Sequence, residues 1–324
     1  MLHELVIING FPGCGKTMMS SIVSSIGQVE IMQYAPVIEQ MCELYGLDSI
    51  EENVAKSMIK MNADLLIYNV MMGRNSNCRP SDLSSIFRHN ILLHIKRMLR
   101  KGDEYIPELI SIKKPILQLT THMLLPYSKL LLDTFGQKLT FIEVIRHPLY
   151  VILQQELNMR KIGEHGDPRI QHIRYSHSQN EYEFYCKGRE EEYYKGNSFE
   201  KAIYSIQWYY SQIFIEQDKD ILLIPFEKFV KDPEQYMILL TRMLGQNITK
   251  KVRREMKKQK VPRLQLSDGP ALDMYKKCGW TPPQFYSEEK ELLARREVVK
   301  QNVSLKALAI LDDISDKYTS MCLN

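Results

Sequence analysis

Apolar and polar positions fall into blocks along this chain that predict strands alternating with helices. Short apolar runs at 5–8, 114–122, 139–145 and 221–226 predict four strands. Helical spacing of apolar residues, or helix start and stop signals, predict helices at about 18–23, 33–44, 50–72, 82–100, 127–135, 198–213, 231–244, 249–260 and 287–318. Because strands alternate with helices, we expect an α/β fold with a largely parallel central sheet.

Three stretches refine this picture. In the helix predicted at 50–72, the large apolar residues recur every three to five positions and should form the buried stripe, namely Ile50, Val54, Met58, Met61, Leu65 and Val70. From about 161 to 197 the chain is rich in His, Tyr, Glu, Arg and Gly, which indicates an inserted lid or acceptor-binding segment or, alternatively, a mobile surface loop. With a helical C-terminal region at about 246–324, we interpret 1–324 as a single domain.

Composition excludes several classes of partner and location. The chain has 324 residues with 43 basic and 39 acidic side chains, so its charge predicts no nucleic acid or other polyanionic partner. The six cysteines show no C-x-x-C spacing, which argues against zinc and against a disulfide framework and favours a reducing compartment. No apolar run approaches about 18 residues, so we expect neither a signal peptide nor a membrane span and predict a cytoplasmic protein.

The pattern G-x-x-x-x-G-K-[ST] lies between the first predicted strand and the first predicted helix. Residues 10–17 form it, with Gly10, Gly15, Lys16 and Thr17 at the specified positions. In such a turn, backbone N–H groups and the helix N-terminus cradle a phosphate group. The sequence therefore predicts a phosphate-binding turn, without indicating which phosphorylated ligand it holds.

The residues that follow the other predicted strands indicate which kind of ligand the site binds. In an open parallel sheet, ligands bind beyond the carboxyl ends of the strands, and those ends carry His122, Arg146 and Glu227. A kinase or nucleotide hydrolase would normally offer an Asp there to hold Mg²⁺. The predicted strand ends supply none, and a cation at Arg146 suits a second phosphate better than a metal.

Together these motifs resemble the sulfotransferases that use 3′-phosphoadenosine 5′-phosphosulfate (PAPS). The family's turn, P-[KR]-S-G-[ST]-[ST], binds the 5′-phosphosulfate. Here Pro12, Gly15 and Thr17 match it, whereas Gly13 and Cys14 depart from it. The basic residue that the family has at position 13 is absent, but Lys16 provides a positive charge three positions later.

Three further stretches resemble the same family in order along the chain. Residues 142–152 are similar to the strand and R-x-P turn that reads the 3′-phosphate through Arg146, with Gln154 where the family has Ser. Residues 120–122 resemble a K-T-H segment whose His, here His122, is the catalytic base. Residues 222–229 and 244–245 are similar to the family's Y-E-x-L and F-L-G signature, which is structural.

The resemblance implies a metal-free, PAPS-dependent transfer to a hydroxyl or amine of a small-molecule or glycan acceptor. It assigns catalysis to His122 as general base and to Lys16 as the cation that neutralises the phosphosulfate. The residues it assigns to cofactor binding are Gly10, Gly13, Cys14, Gly15, Lys16, Thr17, Arg146 and Gln154. Two alternatives stay open: a P-loop kinase using ATP and Mg²⁺, which Lys16-Thr17 favours, and a nucleotide-binding regulator without catalysis.

Overall fold

The structure of the chain is a computed structural model. It describes residues 4–82, 84–88, 90–100, 102, 104–162, 172–215, 220–267, 276–281 and 287–323. The strands are β1 Glu4–Gly10, β2 Gln33–Tyr34, β3 Ile116–Thr120, β4 Leu139–Ile145, β5 Arg174–His177, β6 Asn180–Glu183 and β7 Ile221–Pro225. The helices are α1 Lys16–Val23, α2 Pro36–Gly46, α3 Glu52–Met72, α4 Ile91–Met98, α5 Tyr105–Lys113, α6 Ser128–Phe135, α7 Pro148–Ile162, α8 Glu190–Lys195, α9 Ser198–Ile215, α10 Phe226–Lys231, α11 Glu234–Met243, α12 Lys250–Lys258, α13 Glu288–Lys300 and α14 Leu305–Tyr318.

Five of the strands form one parallel sheet in the order β2-β3-β1-β4-β7. The predicted α/β class with a parallel sheet is therefore confirmed. In register, Ile8 of β1 pairs with Thr120 of β3 on one side and with Ile142 of β4 on the other. The carboxyl ends of these three central strands consequently meet at one edge, where the segments that follow them can form a common site.

Helices cover both faces of the sheet because the central strand is apolar on both sides. Leu5 and Ile7 point into a core built with α2, α3, α5, α6, α7, α9 and α14. Val6 and Ile8, which alternate with them, point into a second core built with α1, α10, α11 and α12. This arrangement of two helical layers around the sheet fixes the glycine-rich turn between β1 and α1 at the centre of the sheet edge.

The buried face of α3 is not the one that its large apolar residues predict. Val54, Met61 and Leu65 are 52%, 56% and 53% exposed, whereas Ala55 and Ala63 are fully buried. The buried stripe runs every four residues through Ala55, Ile59, Ala63, Ile67 and Met71, with Val70 beside it. Small alanine side chains let α3 pack closely, so a stripe chosen by residue size fell on the wrong face.

Several predicted helices also differ from the structure. The helix predicted at 33–44 begins at Pro36, because Gln33–Tyr34 form β2, and the helix predicted at 287–318 is divided into α13 and α14. The helix predicted from about 82 begins at Ile91, where the Asn90 side chain accepts a hydrogen bond from the Leu93 N–H and caps it. The helix predicted at 231–244 is divided, since α10 ends at Lys231 and α11 begins at Glu234 after Pro233. Of the predicted insertion at 161–197, residues 163–171 lie outside the described part, and the remainder contains the β5–β6 hairpin and α8.

Candidate active site

The glycine-rich turn joins β1 directly to α1, as the motif predicts. Gly15 precedes α1 with φ +100°, and a Cβ atom there would lie 2.4 Å from carbon atoms of the Phe226 ring. The Cys14 N–H donates to the Phe11 carbonyl across the turn (3.2 Å). Since α1 has no side-chain N-cap among the described residues, the backbone N–H groups of its first turn are available to an anion.

The Lys16 side chain folds back over this turn. Its Nζ donates to the carbonyl oxygens of Gly10 (3.2 Å) and Phe11 (3.4 Å), and the residue is buried. Burial lowers the pKa of Lys16, while the nearby carboxylates of Glu39 and Glu143 act in the opposite direction. The ammonium group is therefore held at the turn itself, where a bound phosphate would meet it.

Cys14 and Thr17 occupy the remaining motif positions. Burial raises the pKa of the Cys14 thiol to about 11, so this side chain is neutral and fills the core below the turn. Thr17 is partly exposed in the first turn of α1, and its carbonyl accepts from the Ser21 hydroxyl (3.0 Å). Thr17 therefore lies where a ligand can reach it, whereas Cys14 contributes backbone and packing.

Arg146 lies against the same turn and belongs to a stack of alternating aromatic and guanidinium groups. Its Nη1 donates to the Gly13 carbonyl (3.3 Å), and its guanidinium lies 4.1 Å from the Phe226 ring centroid and 4.6 Å from that of Tyr150. Arg295 lies 4.8 Å from the same Tyr150 ring and 4.5 Å from the Trp280 ring. We call Phe226, Arg146, Tyr150, Arg295 and Trp280 the arginine–aromatic stack.

Gln154 lies beside the turn on the same side as Arg146. A Cβ atom on Gly13 would be 3.1 Å from Gln154 Oε1. Tyr150 and Gln154 are one turn apart on α7, so they share a face of this helix. The structure thus brings Arg146 and Gln154 together with the glycine-rich turn, although they are more than 130 residues away in sequence.

His122 follows β3 at the same edge of the sheet and is held by a carboxylate of α2. Glu39 Oε1 accepts from the His122 backbone N–H (2.7 Å) and lies 3.0 Å from His122 Nδ1. The next residue, Met123, donates its N–H to the Gly10 carbonyl (3.4 Å), which places this segment against the turn. A proton on Nδ1 directed at Glu39 leaves Nε2 of His122 as the basic nitrogen.

The electrostatic surroundings keep this imidazole uncharged. Burial lowers the pKa of His122, the positive charges of Lys16 and His172 lower it further, and Glu39 only partly opposes them. The side chain nevertheless keeps 27% of its surface exposed. His122 is therefore a neutral, partly accessible imidazole near Lys16, which is the state that a general base requires.

A second imidazole, His172, lies next to the first. Its Nδ1 is 2.6 Å from Glu43 Oε1, and the Ile173 backbone N–H donates to Glu43 Oε2 (2.7 Å). The His122 and His172 rings meet edge to face, with centroids 6.4 Å apart and an interplanar angle of 86°. Glu39 and Glu43, one turn apart on α2, thus hold one histidine each.

Below the turn, a buried polar network joins β1, β4 and α9. Glu143 accepts from Asn9 Nδ2 (2.6 Å) through Oε2 and from the Tyr209 hydroxyl (2.6 Å) through Oε1. Asn9 Oδ1 in turn accepts from Thr121 Oγ1 (3.0 Å). Burial raises the pKa of Glu143 to about 7, against these hydrogen bonds and the charge of Lys16. This network fixes the strand ends on which His122 and the turn are built.

Glu227 and His147 follow two other strands, and their contacts connect elements of the fold. Glu227 is buried and accepts from the His147 backbone N–H (2.9 Å) and from the Tyr318 hydroxyl (2.5 Å). Burial and the charge of Arg146 lower the pKa of His147 to about 4, so its ring is neutral. These contacts join the start of α7 to α10 and α14.

Sequence reasoning did not identify Glu39, Glu43, His172 or Glu143 as parts of the site. The signal for Glu39 and Glu43 was their i, i+4 spacing on a helix that starts at the carboxyl end of β2. His172 lay within the segment at 161–197 that composition marked as a candidate binding insertion.

Across the described ranges, no group of three or more His, Cys, Asp or Glu side chains is arranged to hold a metal ion. None of the described helices is long and apolar enough to cross a membrane.

Comparisons with known proteins find similarity only at the level of structure. No family model matches the chain, and no curated protein matches it. Three similar solved structures, each 11% identical, are the sulfotransferase domain of the Synechococcus PCC 7002 olefin synthase (93% of this chain and 95% of that chain; TM-score 0.38), the sulfotransferase domain of the curacin biosynthetic pathway (93% and 98%; 0.42) and the sulfotransferase STF9 of Mycobacterium avium (99% and 77%; 0.43). Similarity of this degree carries no inference about activity.

Proposed function

We propose that the chain is a sulfotransferase that uses PAPS to sulfate a hydroxyl or amine of a small-molecule or glycan acceptor. The observation that carries the proposal is the position of His122, a neutral imidazole held by Glu39 beside Lys16 and the glycine-rich turn. All six cysteines, each within the described residues, are free thiols, which supports a reducing compartment such as the cytoplasm.

The residues around the turn fit a nucleotide that carries phosphate at two positions. The N–H groups of the first turn of α1 and the Lys16 ammonium would hold the 5′-phosphosulfate, with the Thr17 hydroxyl as a further donor. Arg146 and Gln154, on the other side of Gly13, would hold the 3′-phosphate. Bound there, the nucleotide would supply the sulfuryl group and leave with the electron pair of the broken sulfur–oxygen bond.

His122 would act on the acceptor. Because Glu39 engages Nδ1, the lone pair of Nε2 is the site that takes the proton of the acceptor hydroxyl or amine as it attacks. Glu39 fixes the tautomer and stabilises the imidazolium that forms. Lys16 would neutralise negative charge that develops on the transferring group.

The competing candidate is a kinase that uses ATP and Mg²⁺, which the pair Lys16-Thr17 favours. None of the five described sheet strands is followed immediately by Asp. Glu143, whose charge acts on Lys16, has both carboxylate oxygens engaged by Asn9 and Tyr209. These observations favour a site built for phosphate and sulfate over one built for a metal.

Calorimetry with adenosine 3′,5′-bisphosphate and with ATP, each with and without Mg²⁺, separates the candidates. We expect metal-independent binding of the bisphosphate; Mg²⁺-dependent binding of ATP alone would overturn the proposal. His122→Ala should abolish sulfation in an acceptor screen while leaving bisphosphate binding intact. His177→Ala, at an exposed histidine of the β5–β6 hairpin, is the matched control and should keep wild-type turnover.

A further inference from the structure

The α2 helix presents two carboxylates to two histidines that come from distant parts of the chain. Glu39 holds His122, which follows β3, and Glu43 holds His172, which precedes β5. Glu43 also accepts from the Ile173 backbone N–H, so one carboxylate fixes both the ring of His172 and the start of the hairpin segment. The hairpin segment is therefore attached to α2 at the point where the proposed base is attached.

Packing fixes the orientation of the two rings relative to each other. The His172 ring lies 5.5 Å from the Phe184 ring and 6.4 Å, edge to face, from the His122 ring. His172 keeps 22% of its side-chain surface exposed, close to the 27% of His122. Both rings are therefore partly accessible and in contact with each other.

The surroundings of the two rings shift their pKa values in opposite directions. Burial opposes a charge on His172, but the hydrogen bond and charge of Glu43, together with Glu39 and Glu183, outweigh it and raise the pKa of His172. At His122, burial and the charge of Lys16 from α1 lower the pKa, Glu39 from α2 opposes them, and His172 itself lowers it further. One ring thus favours the imidazolium form and its neighbour the neutral form.

We propose that His172 is a positioning residue for the base, which holds His122 in place by ring contact and places a positive charge beside it. His172 thereby couples the hairpin segment to the chemistry, because His122 is fully competent only when Glu43 has docked that segment on α2. The catalytic part of this role rests on the proposed function. The coupling between the two imidazoles does not, because it exists in the protein without bound substrates.

The coupling can be measured without a sulfuryl donor or an acceptor substrate, by NMR titration of the imidazole Cε1–H signals of the full chain. Removing a positive charge about 6 Å away should raise the pKa of His122 by roughly one unit in His172→Gln. His177→Gln removes another histidine of the same hairpin, outside this contact, and should leave the His122 titration unchanged. His172→Lys keeps a cation and should return the pKa of His122 toward its wild-type position.

A second variant protects the test against a His172→Gln chain that fails to fold. His172→Phe keeps a ring against Phe184 and His122 but carries no charge, so it should raise the pKa of His122 as His172→Gln does. A His122 titration in His172→Gln that moves no more than in His177→Gln would overturn the proposal. So would an unchanged His122 titration in His172→Phe, should His172→Gln not fold.

Activity then gives a separate readout. If the wild-type protein transfers sulfate, the acidic limb of its rate profile should move to higher pH in His172→Gln by the amount seen in the titration, with kcat affected more than KM for the nucleotide. An acidic limb that stays in place would overturn the positioning role. If the wild-type protein shows no transfer, the proposed function fails, and the titrations alone decide whether the two rings are coupled.

Discussion

Replacing Gly15 by Ala tests whether the glycine-rich turn is held by the side chain beneath it. The backbone at Gly15 has φ +100°, which costs a residue with a Cβ atom roughly 1–2 kcal/mol. The new Cβ would also lie 2.4 Å from the Phe226 ring, which is packed against Arg146 at 4.1 Å and cannot easily move. Overpacking of this kind costs about 1–3 kcal/mol.

The predicted loss in the free energy of unfolding is therefore about 2–5 kcal/mol for Gly15→Ala. Gly245→Ala is the matched control, because Gly245 also has positive φ (+60°) but no heavy atom within 4 Å of its Cβ position. That variant should lose only the backbone part, about 1–2 kcal/mol. Urea unfolding measures both as shifts in the midpoint at constant m-value. Equal losses in the two variants would refute the close approach of Phe226 to the turn.

Three other outcomes follow from the site. Glu39→Gln removes a charge that raises the pKa of His122, so the acidic limb of the rate profile should move to lower pH and kcat should fall roughly 10–100-fold; a limb that moves upward would contradict this. Arg146→Met should weaken calorimetric binding of adenosine 3′,5′-bisphosphate by about 10–100-fold, and unchanged affinity would remove Arg146 from the nucleotide site. The pKa of Glu143 is about 7 in the folded state, above its value of 4.5 in the unfolded chain, so between these two pH values the folded state binds the extra proton. The free energy of unfolding should therefore fall by about 3 kcal/mol as the pH rises from 4.5 to 7. Glu143→Gln should flatten this fall in urea titrations at several pH values.

Four of the five sheet strands were predictable because they carry a local signal, whereas the two residues of β2 lay in the helix predicted at 33–44. The run at 139–145 is β-branched and aromatic, ends before Pro148, and became β4 with the same bounds. The α3 helix shows the limit of such patterns. Its length was evident, but its buried face depended on Ala55 and Ala63, whose small size serves the close approach of a neighbouring helix and leaves no strong apolar signal.

The candidate site was predictable where a motif is contiguous and not where contacts cross the chain. Lys16 and the glycines are adjacent in sequence, so their role could be inferred from spacing alone. Glu39 meets His122 across 83 positions, and Glu43 meets His172 across 129. Such pairs depend on how α2 crosses the sheet edge and on where the segment before β5 returns, neither of which a local pattern specifies.

A substitution in the arginine–aromatic stack affects several of its members at once. Each inner member touches two others, and Arg295 is also bonded to Glu291 within α13, fully out of solvent. A substitution at Tyr150 therefore alters the surroundings of Arg146 and Arg295 at once, and effects of paired changes should not add. Any chimaera that grafts a new C-terminal region onto this protein must replace 288–300 together with Tyr150 on α7, since Arg146 beside the glycine-rich turn would otherwise gain a mismatched neighbour.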